Sequence, residues 1–475
     1  MNNCNNTSKT AIQNIKFTML AQIIALLLSV AKSIVLPKVL TVPDYAYWQI
    51  YVLYSSYVGI FALGYNDGIY LKYGKYQYEE LPLKKLRTAT RFYIVMLALF
   101  SIIGFVICLS AINDPARQLA MGWVCLDIFL MGINGLLIYV LQITNQMKAY
   151  SFCSVLDKVI LLACVLVICF VPNKNYSMVI IADVISKAAV STVLILKCKE
   201  FFVGNHDDFR SAWAEFSDDI KVGINLMIAN LMGMFVTGIG RMIVDFFGDI
   251  SEYAYYSFGA TITNLVLVFI TAVSLVMYPT LKRLPENNYA HYFRKITFCL
   301  REFIYISLLL YFPAVIFIKF FLPQYTPLLE YIHFFFGTVV LQAKMQLTNN
   351  TYYKVLREER ALLRANMSCV FIFLILALVS YSCTKSVYAI AVCTFVAMVF
   401  RCYASEIFIR KKLEVEIEKD MWIELATIVG YVLLLSFTPF ILAAVVCLGI
   451  CIYRSAVFLK DAKKYGISFD WRKRG

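Results

Sequence analysis

Residues 92–112 read FYIVMLALFSIIGFVICLSAI, 21 residues without a charge. As a helix, such a run rises about 30 Å, the thickness of a bilayer's hydrocarbon core. It lacks the apolar/polar alternation of a barrel strand, so a spanning helix is the reading that satisfies its backbone. Comparable runs lie at 17–37, 46–66, 119–142, 155–171 and 177–196, then at 222–245, 255–279, 302–318, 328–343, 366–382 and 386–400. A final stretch, 421–453, is too long for one span, and Thr438-Pro439 near its middle predicts a turn between two helices.

Composition agrees with this reading. The 475 residues are 61% hydrophobic and 16% charged, with a mean hydropathy of +0.72. That leaves too little polar surface to cover a soluble globule. The sequence therefore predicts an all-α integral membrane protein of about fourteen helices with no room for a separate soluble domain. The 14 cysteines are scattered through apolar stretches without a CxxC pair, and the nearest two, Cys447 and Cys451, suit packing one turn apart. The three histidines, His206, His291 and His333, form no HExxH pattern. No metal and no cofactor is expected. Lys16 followed by the apolar run Phe17 to Val30 could pass for a signal peptide. The apolar character resumes after Lys32, and the segment is read as the first helix.

Cytoplasmic loops carry the excess of basic residues. Alternate connections on the side of the N-terminus hold 36 of the 44 Lys and Arg. The opposite side holds five, Lys38, Arg117, Lys174, Lys319 and Lys385, and the remaining three, Lys32, Lys187 and Arg241, fall inside helices. Both termini are therefore expected in the cytoplasm. The net charge of +14 then faces anionic lipid headgroups rather than nucleic acid. The inward loops, near 67–91, 197–221, 280–301 and 401–420, are short, and the outward ones are shorter still and poor in charge. None could house a catalytic domain, so the chain is not expected to be an enzyme.

Two stretches echo each other. Lys32 precedes Tyr45-Ala46-Tyr47-Trp48, and Arg241 precedes Tyr253-Ala254-Tyr255-Tyr256, about 208 residues on. Six intervening helices would give both halves the same orientation, with a substrate path between them. Interfacial anchoring is an alternative reason for aromatic residues at helix starts.

Ionised side chains inside a bilayer need a partner or a watery cavity. Asn230, Thr237, Arg241 and Asp245 share one face of their helix, as Asp127, Asn134 and Asn145 do if the helix 119–142 runs one turn further. Asp183 and Lys187 form an i,i+4 pair, and Lys32 has no opposite charge close in sequence. Each has a structural alternative. Asp183 and Lys187 can neutralise each other, Asp127 can bind a neighbouring helix, Lys32 can snorkel outward, and Asp245 alone can hold Arg241. Taken as cavity residues, Lys32 and Arg241 would suit phosphate or pyrophosphate. Tyr51, Tyr54 and Tyr57 could face a sugar or simply pack.

The segment Leu63-Gly64-Tyr65-Asn66-Asp67-Gly68-Ile69-Tyr70-Leu71-Lys72-Tyr73-Gly74 resembles the polysaccharide-biosynthesis flippases of the MATE-like (MOP) superfamily. Pro43-Asp44-Tyr45-Ala46-Tyr47-Trp48, Gly240-Arg241 with Tyr255-Tyr256-Ser257, and Tyr278-Pro279 are similar to other passages of that family. The resemblance implies two six-helix bundles forming a V, over 1–200 and 201–412, and a C-terminal helical hairpin with a basic tail over 413–475. It implies alternating access around a cationic cavity that includes Arg241, Lys32, Asn230, Asp245, Asp127 and Asn134. Asn66, Asp67 and Gly68 would be a structural or gating turn on the cytoplasmic side, and Asp183 with Lys187 an intramembrane pair. The implied cargo is an undecaprenyl-pyrophosphate-linked oligosaccharide for O-antigen, capsule or a related lipopolysaccharide polymer. The implied place is a bacterial inner membrane, with membrane lipids, a polysaccharide polymerase and chain-length proteins as partners. Two other functions compete: a cation-coupled multidrug or small-molecule exporter of the same fold, which would favour acidic sites such as Asp127 and Asp183, and a membrane polysaccharide polymerase or glycosyltransferase.

Overall fold

The computed structural model describes residues 2–461 except 75, 77, 206, 283, 284 and 418. Side chains are described from residue 20 onward, apart from several between 268 and 284 and those of 459 and 461. His206, the basic residues of the leader, the tail beyond 461 and the side chains of Tyr278 and Pro279 lie outside the described residues. Among the described residues the chain is helical throughout. It divides into two compact units, 1–238 and 239–475.

The first unit holds α1 (Asn2–Val39), α2 (Val42–Tyr57), α3 (Tyr65–Tyr73), α4 (Leu83–Ala111), α5 (Pro115–Ile143), α6 (Met147–Ile168), α7 (Tyr176–Lys197) and most of α8 (Phe209–Phe247). The second holds the rest of α8, then α9 (Ile250–Lys282), α10 (Tyr289–Leu308), α11 (Tyr311–Phe321), α12 (Ile332–Lys344), α13 (Asn350–Val355), α14 (Glu359–Thr384), α15 (Val387–Lys412), α16 (Lys419–Phe437) and α17 (Phe440–Asp461). The unit boundary falls inside α8, not near residue 200, because the helix's first half packs into the first unit.

Short polar turns start several helices. Thr41, Asp114, Asn175 and Ser386 each accept a hydrogen bond from a backbone N–H in the first turn of α2, α5, α7 and α15. The turn expected at Thr438-Pro439 separates α16 from α17.

Eleven helices among the described residues are long and apolar enough to cross a bilayer. Three expected spans are not among these eleven: α2, only 16 residues long, α12, only 13, and α9, whose side chains are partly outside the described set. The expectation of fourteen rests on adding them. The run 46–66 is broken because Leu63 (φ 49°) and Gly64 (φ 86°) adopt left-handed backbone, a conformation that glycine tolerates and side chains resist. The run 328–343 ends in a π-helical turn, Met345–Asn349, which links α12 to α13.

Candidate functional site

The first unit buries a polar network in the middle of its helices. Lys187 of α7 lies 2.5 Å from Asp127 of α5 and 2.7 Å from Asp183, one turn back on α7. Lys187 also donates to the Tyr51 hydroxyl at 2.9 Å, and Tyr51 in turn donates to Asp183 at 2.8 Å. Ser55 donates to Asp127 at 2.6 Å. Asn134 donates to the carbonyl of Lys187 and accepts from Ser191. The i,i+4 pair expected from sequence is therefore a three-way arrangement in which Asp127 shares the same ammonium. That arrangement gives every charge in it an opposite neighbour in a low-dielectric setting, although Oδ1 of Asp127 is buried without a hydrogen-bond partner. Asn145 does not join it: α5 ends at Ile143 and Asn145 sits in a left-handed turn (φ 56°) beyond it.

Lys32 of α1 sits at the edge of this network, its Nζ 5.5 Å from the centre of the Trp48 ring. Among the described residues it has no hydrogen bond or ion pair.

In the second unit Arg241 has the same character. Its Nε is buried without a hydrogen-bond partner, and among the described residues it makes no ion pair, with Asp245 or any other carboxylate. Asp245 is itself buried. A side chain at neighbouring Gly240 would strike the Tyr256 hydroxyl, which bonds to Thr394 at 3.0 Å. The polar stripe read along α8 is thus shared out. Asn230 belongs to the first unit and approaches Asp67 at 3.5 Å, while Arg241 and Asp245 belong to the second.

The two aromatic echoes take up matching positions. α2 and α9 begin 208 residues apart, at Val42 and Ile250, each with an acidic residue in its first turn. Tyr45, Ala46 and Trp48 are 1%, 0% and 2% exposed, and Tyr253, Ala254 and Tyr256 are 1%, 0% and 2% exposed. Each unit therefore sets the last aromatic of its echo, Trp48 or Tyr256, beside its embedded basic residue or that residue's neighbour.

Asn66, Asp67 and Gly68 are buried in the first turn of α3 and do not form the turn itself. The left-handed residues are Leu63 and Gly64, so the turn lies a few residues earlier than the sequence suggested. Asp67 receives long contacts of 3.5 Å from Tyr139 and Asn230.

Two charged clusters escaped the sequence reading. On α3, outside the spans, Lys72 meets Glu215, Asp218 and Asp219 of α8 at 2.5, 2.7 and 3.2 Å. Burial works against its charge, but Asp218, Glu215 and Asp219 together hold the ammonium above its ordinary value. In the second unit Lys344 lies 2.6 Å from Glu406 and 2.5 Å from Glu424. Arg410 and Arg301 extend that cluster to Glu406 and Asp420. Arg301, Lys344, Arg401 and Arg410 belong to the 36 basic residues that the sequence assigns to cytoplasmic connections, whereas all four are buried on helices. An i,i+4 Glu406/Arg410 pair continuing an apolar run was the signal available in the sequence.

Comparison with known proteins adds the fold. No family model and no curated protein sequence matches the chain. Among solved structures it is similar to lipid II flippase MurJ in an inward closed conformation, with a TM-score of 0.68 and 12% identity over 95% of this chain and 99% of that one. It is also similar to the MATE multidrug transporter DinF-BH, with a TM-score of 0.57 and 14% identity over 85% and 95% of the two chains. An inward-facing MATE family transporter of the MOP superfamily gives a TM-score of 0.54 and 13% identity over 85% and 98%. The chain is an all-α integral membrane protein with the fold shared by these transporters.

Proposed function

We propose that the protein is a flippase that turns an undecaprenyl-pyrophosphate-linked oligosaccharide from the cytoplasmic to the outer leaflet of a bacterial inner membrane. In this reading it works by alternating access, keeps both termini in the cytoplasm and serves the assembly of a surface polysaccharide such as O-antigen or capsule. The observation that carries the reading is Arg241, a guanidinium on a spanning helix with a buried, unpartnered Nε. An embedded cation costs roughly 2.5–3.5 kcal/mol on insertion scales, and a bound pyrophosphate would offset that cost through paired, charge-assisted hydrogen bonds. Lys32 is the corresponding cation of the first unit. Fold similarity to a flippase of lipid II supports a lipid-linked cargo.

The exporter reading draws on the multidrug transporters of the same fold. It calls for a carboxylate available to a cation, yet both acidic candidates of the first unit, Asp127 and Asp183, are held by Lys187.

Complementation and membrane abundance of three variants test the proposal. Arg241→Ala should abolish transport at normal abundance, and Arg241→Lys should keep part of it, since charge remains without the bidentate fork. If Arg241 instead serves only to balance Asp245, Arg241→Ala lowers abundance and the double change with Asp245→Ala restores both abundance and transport. Full transport by that double variant would remove Arg241 from the site.

A further inference from the structure

The first half of α8 is bound into the first unit at three separate places, each by a different kind of contact. The first is a crossing of backbones. A side-chain carbon at Gly68 would lie 1.8 Å from the Asp219 carbonyl oxygen, and one at Gly223 would lie 2.0 Å from the Gly64 oxygen and 2.2 Å from the Gly68 nitrogen. α3 and α8 therefore touch main chain to main chain, an approach that only small residues permit.

The second place is electrostatic. Lys72 bridges three carboxylates of α8, one of which, Asp219, is fully buried. Tyr73 donates to Glu215 at 2.6 Å, and the Tyr65 ring lies 5.0 Å from that of Phe216. Parting α3 from α8 would strand a buried carboxylate without its cation, the costly way to break such a contact.

The third place fixes the connection from α7. Arg87 of α4 donates to the carbonyls of Glu200 and Asn205, and the connection passes over its guanidinium at Gly204, where φ is 132° and a side chain would strike Arg87. Thr88 and Asp207 bond to each other, and Phe92 sets its edge against Phe209 and Trp213.

We propose that α3, residues 198–205 and 207–208 of the connection and the first half of α8 form one strut that stays closed throughout transport, with Lys72 as its positioning residue. The Asn66-Asp67-Gly68 segment of α3 is then a structural element and not a gate. Regions that open during function are drawn from the sparsely packed end of a structure, and this junction lies at the other end. The inference rests on the transport reading but not on the identity of the cargo.

Distance measurement between spin labels tests it without relying on activity. Labels at Leu71 and Val222, both exposed, would be placed on the full chain in liposomes after replacement of the accessible native cysteines. They would be compared with and without a defined undecaprenyl-pyrophosphate-linked oligosaccharide. The strut gives one distance distribution that the lipid leaves unchanged. A second population displaced by about one helical turn, ~5 Å, overturns it. In a second arm, Leu71→Cys with Val222→Cys, which leaves Lys72 and its three carboxylates in place, is bridged by a cleavable thiol cross-linker. The bridged protein should keep more than half the transport of the unbridged one. Loss of transport that cleavage reverses would show that the junction opens. If the wild-type protein moves no such lipid, the functional reading fails and the distance arm alone decides the strut.

Discussion

Lys344 at the end of α12 offers the sharpest test of how the second unit is held together. Its ammonium lies between Glu406 of α15 and Glu424 of α16, at 2.6 and 2.5 Å, and the three residues are 1%, 0% and 0% exposed. Glu424 also accepts from Tyr403 at 3.1 Å. Replacing Lys344 by Met keeps the volume and removes the charge, leaving two neighbouring carboxylates in a dry interior. Removing one partner of a buried pair costs about 3–5 kcal/mol. Arg410 remains 2.9 Å from Glu406 and Arg301 remains 3.7 Å from Glu424, which points to the lower end, about 3 kcal/mol. For a unit of this size each kcal/mol moves the melting temperature by about 2–4 °C, so Lys344→Met should melt about 6–12 °C lower. Heating a fluorescent fusion in detergent and following its monodisperse fraction reads that shift. Lys344→Met with Glu424→Gln should recover most of it, because Arg301 with Asp420 and Arg410 with Glu406 stay paired. A single variant within about 2 °C of wild type would refute the reasoning, since water would then have to reach the cluster and screen it.

Truncation before residue 413 removes Asp420 and Glu424, both carboxylates that meet Arg301 and one of the two that meet Lys344, so the shortened chain should fail to accumulate in the membrane, as immunoblotting would show. Gly64→Ala, at φ 86° with its new carbon 2.6 Å from the Ile224 nitrogen, should lose most folded protein, whereas Gly59→Ala, with open space around it, should not. Thiols introduced near Asn113, Asn173 and Thr384 should react with an impermeant reagent in sealed cells, and those near Lys84 and Lys412 should not; the reverse pattern would overturn the orientation drawn from basic loops. Purified protein in liposomes should move a lipid-linked oligosaccharide without changing its mass, and a longer or cleaved product in mass spectrometry would mean a catalyst.

Much of the fold could be read from the chain, because spanning helices announce themselves by length and apolarity alone. The turn at Thr438-Pro439 was visible for an equally local reason, a proline in a run too long for one helix. The break at Leu63-Gly64 was not. Its cause is the close passage of α8, with Ile224 against Gly64, and that neighbour lies 160 residues away in sequence. The misplacement of the turn onto Asn66-Asp67-Gly68 has the same origin. Gly68 is present for a backbone contact with Asp219, which in the sequence is indistinguishable from a glycine present for its torsion angles.

The embedded charges divide along the same line. Periodicity can show a partner four residues off on the same helix, and so it found Lys187 with Asp183. It could not show that Asp127, 60 residues earlier, shares that ammonium, nor that Glu424, 80 residues beyond Lys344, completes the second unit's cluster. Sequence alone therefore leaves Lys32 and Asp127 without a partner on their own helices, and offers Lys187 and Arg241 only Asp183 and Asp245 one turn away. The fold separates them. Lys187 and Asp127 are spent on each other, and among the described residues Lys32 and Arg241 keep no ion pair. A charge that the fold leaves unanswered inside a membrane marks where a ligand of opposite sign would supply the missing partner. Lys32 lies close enough to Asp183 to feel its charge, so that argument applies to Arg241, whose Nε is buried without a hydrogen-bond partner.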